Sequence, residues 1–149
     1  MTVDDLGSTA GANSSFHYAY LAWTMALVGA LGSLFFGEVM ELVPCTLCWY
    51  QRICLFPLPV ILAVGIVRRD DALAAYALPL AVAGLATALY HVGIQIGWIP
   101  ETLSPCTGGT PCGERQIEWL GFLTIPLMSA AAFSAILACL VAHGRQARP

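Results

Sequence analysis

The stretch PCTLCWYQRICLFPLPVILAVGIVRRDD, residues 44–71, runs from a cysteine pair through an apolar segment to an abrupt return of charge. Between Trp49 and Val67 the only charged residue is Arg52. A helix of about 20 apolar residues crosses a hydrocarbon core of ~30 Å, so this segment reads as one membrane crossing. Three further runs have the same character, over about 18–37, 72–98 and 119–142. The chain of 149 residues is 58% hydrophobic and 10% charged. A soluble domain holds about 45–50% apolar and roughly 25% charged residues, so this chain cannot cover a compact core with polar surface. The expected architecture is therefore all-α and membrane-embedded: a four-transmembrane-helix bundle over 16–143, with a flexible tail at 1–15 and a short one at 144–149. The third run is long and is expected to tilt or to pass the interface.

Charge gives the bundle a direction. Lysine is absent, and the net charge is −3. With four crossings both termini share a side with the Arg68-Arg69 turn, which then carries Arg68, Arg69, Arg145 and Arg148; the other side holds Arg115, and Arg52 at its edge. The positive-inside rule places both termini in the cytoplasm and both cysteine-bearing loops outside. Cys45, Cys48, Cys106 and Cys112 are thus expected on the oxidising face, where disulfides persist. Six scattered arginines form no basic patch, which excludes nucleic acid as a partner. The first run exceeds the usual ~7–15-residue core of a signal peptide, and no Arg or Lys precedes it, so it is expected to be retained.

Small residues crowd the third and fourth runs (Ala81, Gly84 and Ala88; Ser129 to Ala132), as close helix packing in lipid requires. Pro57, Pro59, Pro79 and Pro126 are expected to interrupt three helices and free backbone carbonyls.

The chemistry sits in the two outer loops. Cys45 and Cys48 stand where the second helix begins, and a helix N-terminus favours thiolate, the species that attacks disulfides. Arg52 lies at i+4 from Cys48, on the same face. It reads either as an interfacial anchor or as a counter-charge beside a Cys48 thiolate and an electron-accepting ligand. In the second loop five residues rich in Gly and Thr separate Cys106 from Cys112, and a proline precedes each cysteine. That loop is pliant enough to bring two sulfurs together and polar enough to meet another protein. His91 and Gln95, at i and i+4 near the outer end of the third helix, are candidates to bond a polar ligand head group. Glu114, Arg115, Gln116 and Glu118 read as an interfacial first turn of the fourth helix. Cys54 and Cys139 fall inside apolar runs and read as packing residues. Four outer cysteines permit three pairings.

Two segments carry a resemblance. Residues 35–52, ending in Pro44-Cys45-Thr46-Leu47-Cys48-Trp49-Tyr50-Gln51-Arg52, and residues 111–126 from Pro111-Cys112-Gly113 to Pro126 resemble the DsbB family of disulfide-forming membrane proteins. The short BdbC-type branch is the nearest in form. The likeness covers roughly 35–133 in the same order. It implies a protein-disulfide:quinone oxidoreductase in a bacterial cytoplasmic (inner) membrane, with ubiquinone or menaquinone as cofactor and a soluble DsbA/BdbD-like thioredoxin-fold protein as partner. Carried over to these positions, the partner would attack a Cys106–Cys112 disulfide at Cys106. Electrons would pass to Cys45–Cys48, with Cys48 and Arg52 meeting the quinone and His91 near it. The second loop is shorter than in the longest-studied branch, with no interfacial helix between its cysteines. The competing readings are a tetraspan protein with a structural four-cysteine zinc site, and an adaptor with stapled outer loops. No metal is expected in the enzyme reading, and the sequence leaves the oligomeric state open.

Overall fold

The computed structural model describes residues 3–103, 105–106, 111–113 and 124–147, with side chains described from Phe16 onward. The described residues are helical, with no strand among them. Helix α1 spans Val3–Leu34 and ends in a wider π-helical turn, Phe35–Val39; α2 is Thr46–Leu55, α3 Pro57–Arg68, α4 Leu73–Gln95 and α5 Ile125–Gln146. A 3-10 turn at Glu101–Leu103 lies between the last two. Four segments are long and apolar enough to cross a membrane: Phe16–Val39, Thr46–Arg68, Leu73–Gln95 and Ile125–Gln146. At 1.5 Å per residue each reaches past 30 Å.

The second expected run is two helices. Pro57 has no N–H to give the carbonyl of Ile53, so the chain is re-set at Phe56, whose own N–H still bonds Arg52 O at 2.9 Å. Pro79 is accommodated within an unbroken α4. Pro126 falls in the first turn of α5, where no N–H is required, so it does not break that helix. The third run stops earlier than 98. Gly97 takes a left-handed φ of 80°, and the N–H groups of Trp98 and Ile99 both turn back to Gly93 O, at 2.9 and 3.1 Å. At the other end α1 begins at Val3, inside the segment expected as a tail. Residues 119–123 of the expected fourth run, and the charged positions Glu114 to Glu118, lie outside the described residues.

Small residues bring the helices together. Ala19, Ala22, Ala26 and Ala30 make one buried face of α1, and Ala77, Ala81, Gly84 and Ala88 another on α4. Helix α5 packs on both α1 and α4. Phe133 of α5 fills the space that Gly84 leaves, so a Cβ there would overlap its ring. Gly84→Ala should therefore cost about 1–3 kcal/mol through overpacking. Thermal unfolding of the detergent-solubilised protein checks this by a lowered midpoint. Large apolar side chains such as Leu31, Val60, Val82 and Leu89 point outward, as surfaces facing lipid do.

One end of the bundle gathers the arginine turn. Arg69, left-handed at φ 51°, lies 5.7 Å over the Phe16 ring, and Phe16 meets His143 of α5 edge-on at 5.4 Å. Asp70 holds the turn by accepting from Ala72 N at 2.9 Å and Tyr76 Oη at 3.0 Å. The cysteines occupy the opposite ends of α2 and α4, as the sequence pattern required.

Candidate active site

Cys45 is the extended residue that precedes α2, and its carbonyl accepts from Trp49 N at 3.2 Å. Helical geometry then puts Cys48 one turn on, with the two sulfurs 3.2 Å apart and not joined. Cys106 and Cys112 form a disulfide, their Cα atoms 5.9 Å apart. The second loop is tied to α4 ahead of this bond and to its own first turn beyond it. Tyr90 Oη donates to Leu103 O at 3.0 Å, and Gly113 N donates to Glu101 Oε1 at 3.2 Å. These ties sink Cys112 into a small apolar cluster with Cys45, Leu47 and Ile94.

The two pairs meet at His91. Its ring nitrogen, the Cys45 sulfur and the Cys112 sulfur all lie within 4.8 Å of one another. His91 Nε2 is 3.0 Å from the Cys112 carbonyl oxygen and 3.8 Å from Cys45 Sγ, while Nδ1 is 3.2 Å from Gln51 Nε2. The contact with the Cys48 sulfur holds the Cys45 thiol far below the ordinary range, to about 4; burial opposes this, and His91 adds to it. Of the two, Cys45 is therefore the cysteine whose thiolate the site favours.

Arg52 faces a different space. Its Nε and Nη2 donate to Ser33 Oγ and Ser33 O, each at 2.9 Å, and its guanidinium lies 5.5 Å from the Trp49 ring centre. Beside it opens a cavity of about 380 Å³ between α1, α2 and α5. Apolar side chains such as Met25, Val28, Phe36, Leu55 and Met128 make up most of its wall, with Cys48, Gln51, Arg52 and Ser33 as the polar points. Ligand sites of this size commonly combine an apolar lining with a few placed polar groups.

The structure therefore brings Cys45, Cys48, Cys106 and Cys112 together and sets Cys48 and Arg52 on one cavity. His91 and Gln95 do not line that cavity; His91 is spent between the two cysteine pairs. Sequence reasoning passed over Gln51 and Ser33. A glutamine inside an apolar run, three residues from Cys48, was the available signal for the first; for Ser33 there was none. Cys54 and Cys139 pack against the main core, away from the other four.

Comparison with known proteins agrees with this layout. The family described as "Disulfide bond formation protein DsbB" matches residues 14–143. The chain is 43% identical over 118 residues to the "Probable disulfide formation protein C" of Halalkalibacterium halodurans, covering 79% of this chain and 86% of that protein. It is 38% identical over 120 residues to the "Disulfide bond formation protein C" of Bacillus subtilis, covering 80% and 87%. It is 44% identical over 122 residues to a "Probable disulfide formation protein" of Chlamydia trachomatis, covering 82% and 87%. No solved structure matches the chain significantly.

Proposed function

Because the chain belongs to the DsbB family of disulfide-forming membrane proteins, we propose that it reoxidises a soluble DsbA/BdbD-like thioredoxin-fold thiol oxidase and passes the electrons to a membrane quinone. One observation carries the reading. The Cys45 sulfur lies within 4.8 Å of the Cys112 sulfur, and Cys48 lies 3.2 Å further on at the wall of the Arg52 cavity. Sulfur thus leads to sulfur from the outer loop to an apolar chamber.

The thiol chemistry balances along that path. The partner's thiolate attacks Cys106, the half-exposed member of its pair, breaking the Cys106–Cys112 bond and leaving Cys112 as thiolate. The partner's second thiol then displaces Cys106, so the partner leaves oxidised and the loop pair is reduced. Cys112 attacks Cys45 of an oxidised Cys45–Cys48 pair and expels Cys48. Cys106 next attacks Cys112 and expels Cys45, which gives the arrangement of bonds seen here. A quinone in the cavity supplies the acceptor, taking two electrons and two protons as the Cys45–Cys48 disulfide re-forms. Arg52 fits such a ligand, because a fixed positive charge set among apolar side chains favours negative charge developing on oxygen.

In this reading the cysteine loops face the extracytoplasmic side of a bacterial cytoplasmic membrane, opposite the Arg68-Arg69 end. Reduced, purified protein mixed with a water-soluble quinone analogue should regenerate disulfides, one quinone consumed per thiol pair. Folded, fully reduced protein that transfers no electrons would sink the proposal.

A further inference from the structure

The hydrogen bonds around His91 define more than its position. The Cys112 carbonyl oxygen only accepts, so the ring nitrogen 3.0 Å from it, Nε2, must carry the proton. In the neutral ring Nδ1 is then an acceptor, and the group facing it at 3.2 Å must donate, as the Gln51 amide nitrogen does. The opposite tautomer would set two lone pairs against each other at the Cys112 carbonyl and would require Gln51 to turn its amide so that Oε1 meets Nδ1–H. Water offers no relief, since His91 is 3% and Gln51 6% exposed. An unmade bond in such a place costs the full desolvation of the group. The same Nε2–H lies 3.8 Å from Cys45 Sγ, within reach of a sulfur acceptor.

We propose that Gln51 is a positioning residue that holds His91 with its proton on Nε2, and that this N–H makes Cys45 the preferred thiolate leaving group when the loop disulfide forms. The proposal rests on the relay described above and concerns its last exchange. In that step Cys106 as thiolate attacks Cys112 within a Cys45–Cys112 bond. The Cys106–Cys112 bond forms, the Cys45–Cys112 bond breaks, and the electron pair remains on Cys45. A leaving thiol with a lower pKa departs faster. His91 stabilises that charge without giving up its proton, and its bond to the Cys112 carbonyl holds the sulfur under attack. Among the described residues, the titratable groups facing Cys45 are Cys48 from α2 and His91 from α4, joined by the Cys112 thiol of the second loop once its disulfide is reduced, while the charge of Arg52 acts on Cys48.

The test needs neither quinone nor partner. In the full-length, reduced protein in detergent, iodoacetamide modification of Cys45 is followed by mass spectrometry from about pH 3 to pH 9, and the ring nitrogens of His91 are read by 15N NMR. The wild type should show the Nε2–H tautomer and an acid midpoint for Cys45. Gln51→Met, close in shape but without a donor, should leave Nδ1 unheld, let the ring turn so that Nε2–H moves off Cys45, and raise the midpoint by about one pH unit, tenfold less modification on the acid side. Gln51→Glu should rescue, because its carboxylate accepts from a protonated Nδ1 while Nε2–H stays in place.

An unmoved midpoint in folded Gln51→Met, or an Nδ1–H tautomer in the wild type, overturns the proposal. Should the Met variant not fold, Gln51→Glu decides alone, and a midpoint raised there is equally fatal. A Cys45 midpoint that follows Gln51 as expected, in protein that never reduces quinone, upholds the positioning and refutes the relay instead.

Discussion

Cys48→Ser should reduce electron transfer from the protein's thiols to a quinone to the uncatalysed background. Cys48 is the cysteine that lines the Arg52 cavity, and its sulfur is 3.2 Å from that of Cys45. A serine hydroxyl forms no bond with Cys45 and is no electron donor, so the pair nearest the cavity is lost as a redox unit. Cys45→Ser should be as damaging for a different reason. It removes the sulfur within 4.8 Å of Cys112 and so cuts the path between the pairs. The control lies in the same chain. Cys54 and Cys139 pack partly buried against the main core, and their change to alanine removes one sulfur's worth of packing, about 1 kcal/mol. Stopped-flow quinone absorbance, with thiols titrated before and after, compares all four variants. Activity retained in Cys48→Ser would refute the assignment, as would a loss in Cys54→Ala equal to that in Cys45→Ser.

What the sequence disclosed follows from what hydropathy and helical spacing can encode. A membrane crossing must be apolar over its whole length, so all four crossings were visible in composition alone. The Cys45-x-x-Cys48 spacing fixes two sulfurs on one helical turn, and Arg52 at i+4 must share that face; the cavity confirms the shared face for Cys48 and Arg52. His91 shows the limit. Its place near the outer end of the third run gave its depth in the bilayer but not its bearing around the helix axis. That bearing, set by how α4 packs on α2, turns the ring to Gln51 and Cys112 and not to the cavity. The break at Phe56 was half legible, since prolines announce strain but not whether a helix stops, as before Pro57, or continues, as through Pro79. Nothing local marks the π-helical turn at Phe35–Val39, because one extra residue in a turn is decided by what that turn must reach.

Arg52→Lys should raise the apparent KM for quinone about tenfold, the worth of one charge-assisted hydrogen bond. Two of the five N–H groups of Arg52 are committed to Ser33, at 2.9 Å each, and they fix the plane of the fork. The remainder of that fork is available to a ligand without loss of either bond. A lysine ammonium keeps the charge but cannot satisfy Ser33 Oγ and Ser33 O in one plane while presenting further donors in a set direction. Arg52→Met, which deletes the charge, should lower kcat/KM further, by about a hundredfold, as the loss of a placed electrostatic stabiliser does. Gly37 separates charge from position. A Cβ there would sit 2.9 Å from Arg52 Nη2 and 3.4 Å from Nη1, so Gly37→Ala should push the guanidinium aside with its charge intact. If placement is what the quinone senses, Gly37→Ala should raise KM in the same direction as Arg52→Lys, with thiol exchange between the cysteine pairs unaltered. Steady-state kinetics across a quinone concentration series distinguish these outcomes. KM unchanged in both variants would return Arg52 to the role of an interfacial anchor, since snorkelling to the membrane surface asks for a cation and places no demand on the geometry of its donors.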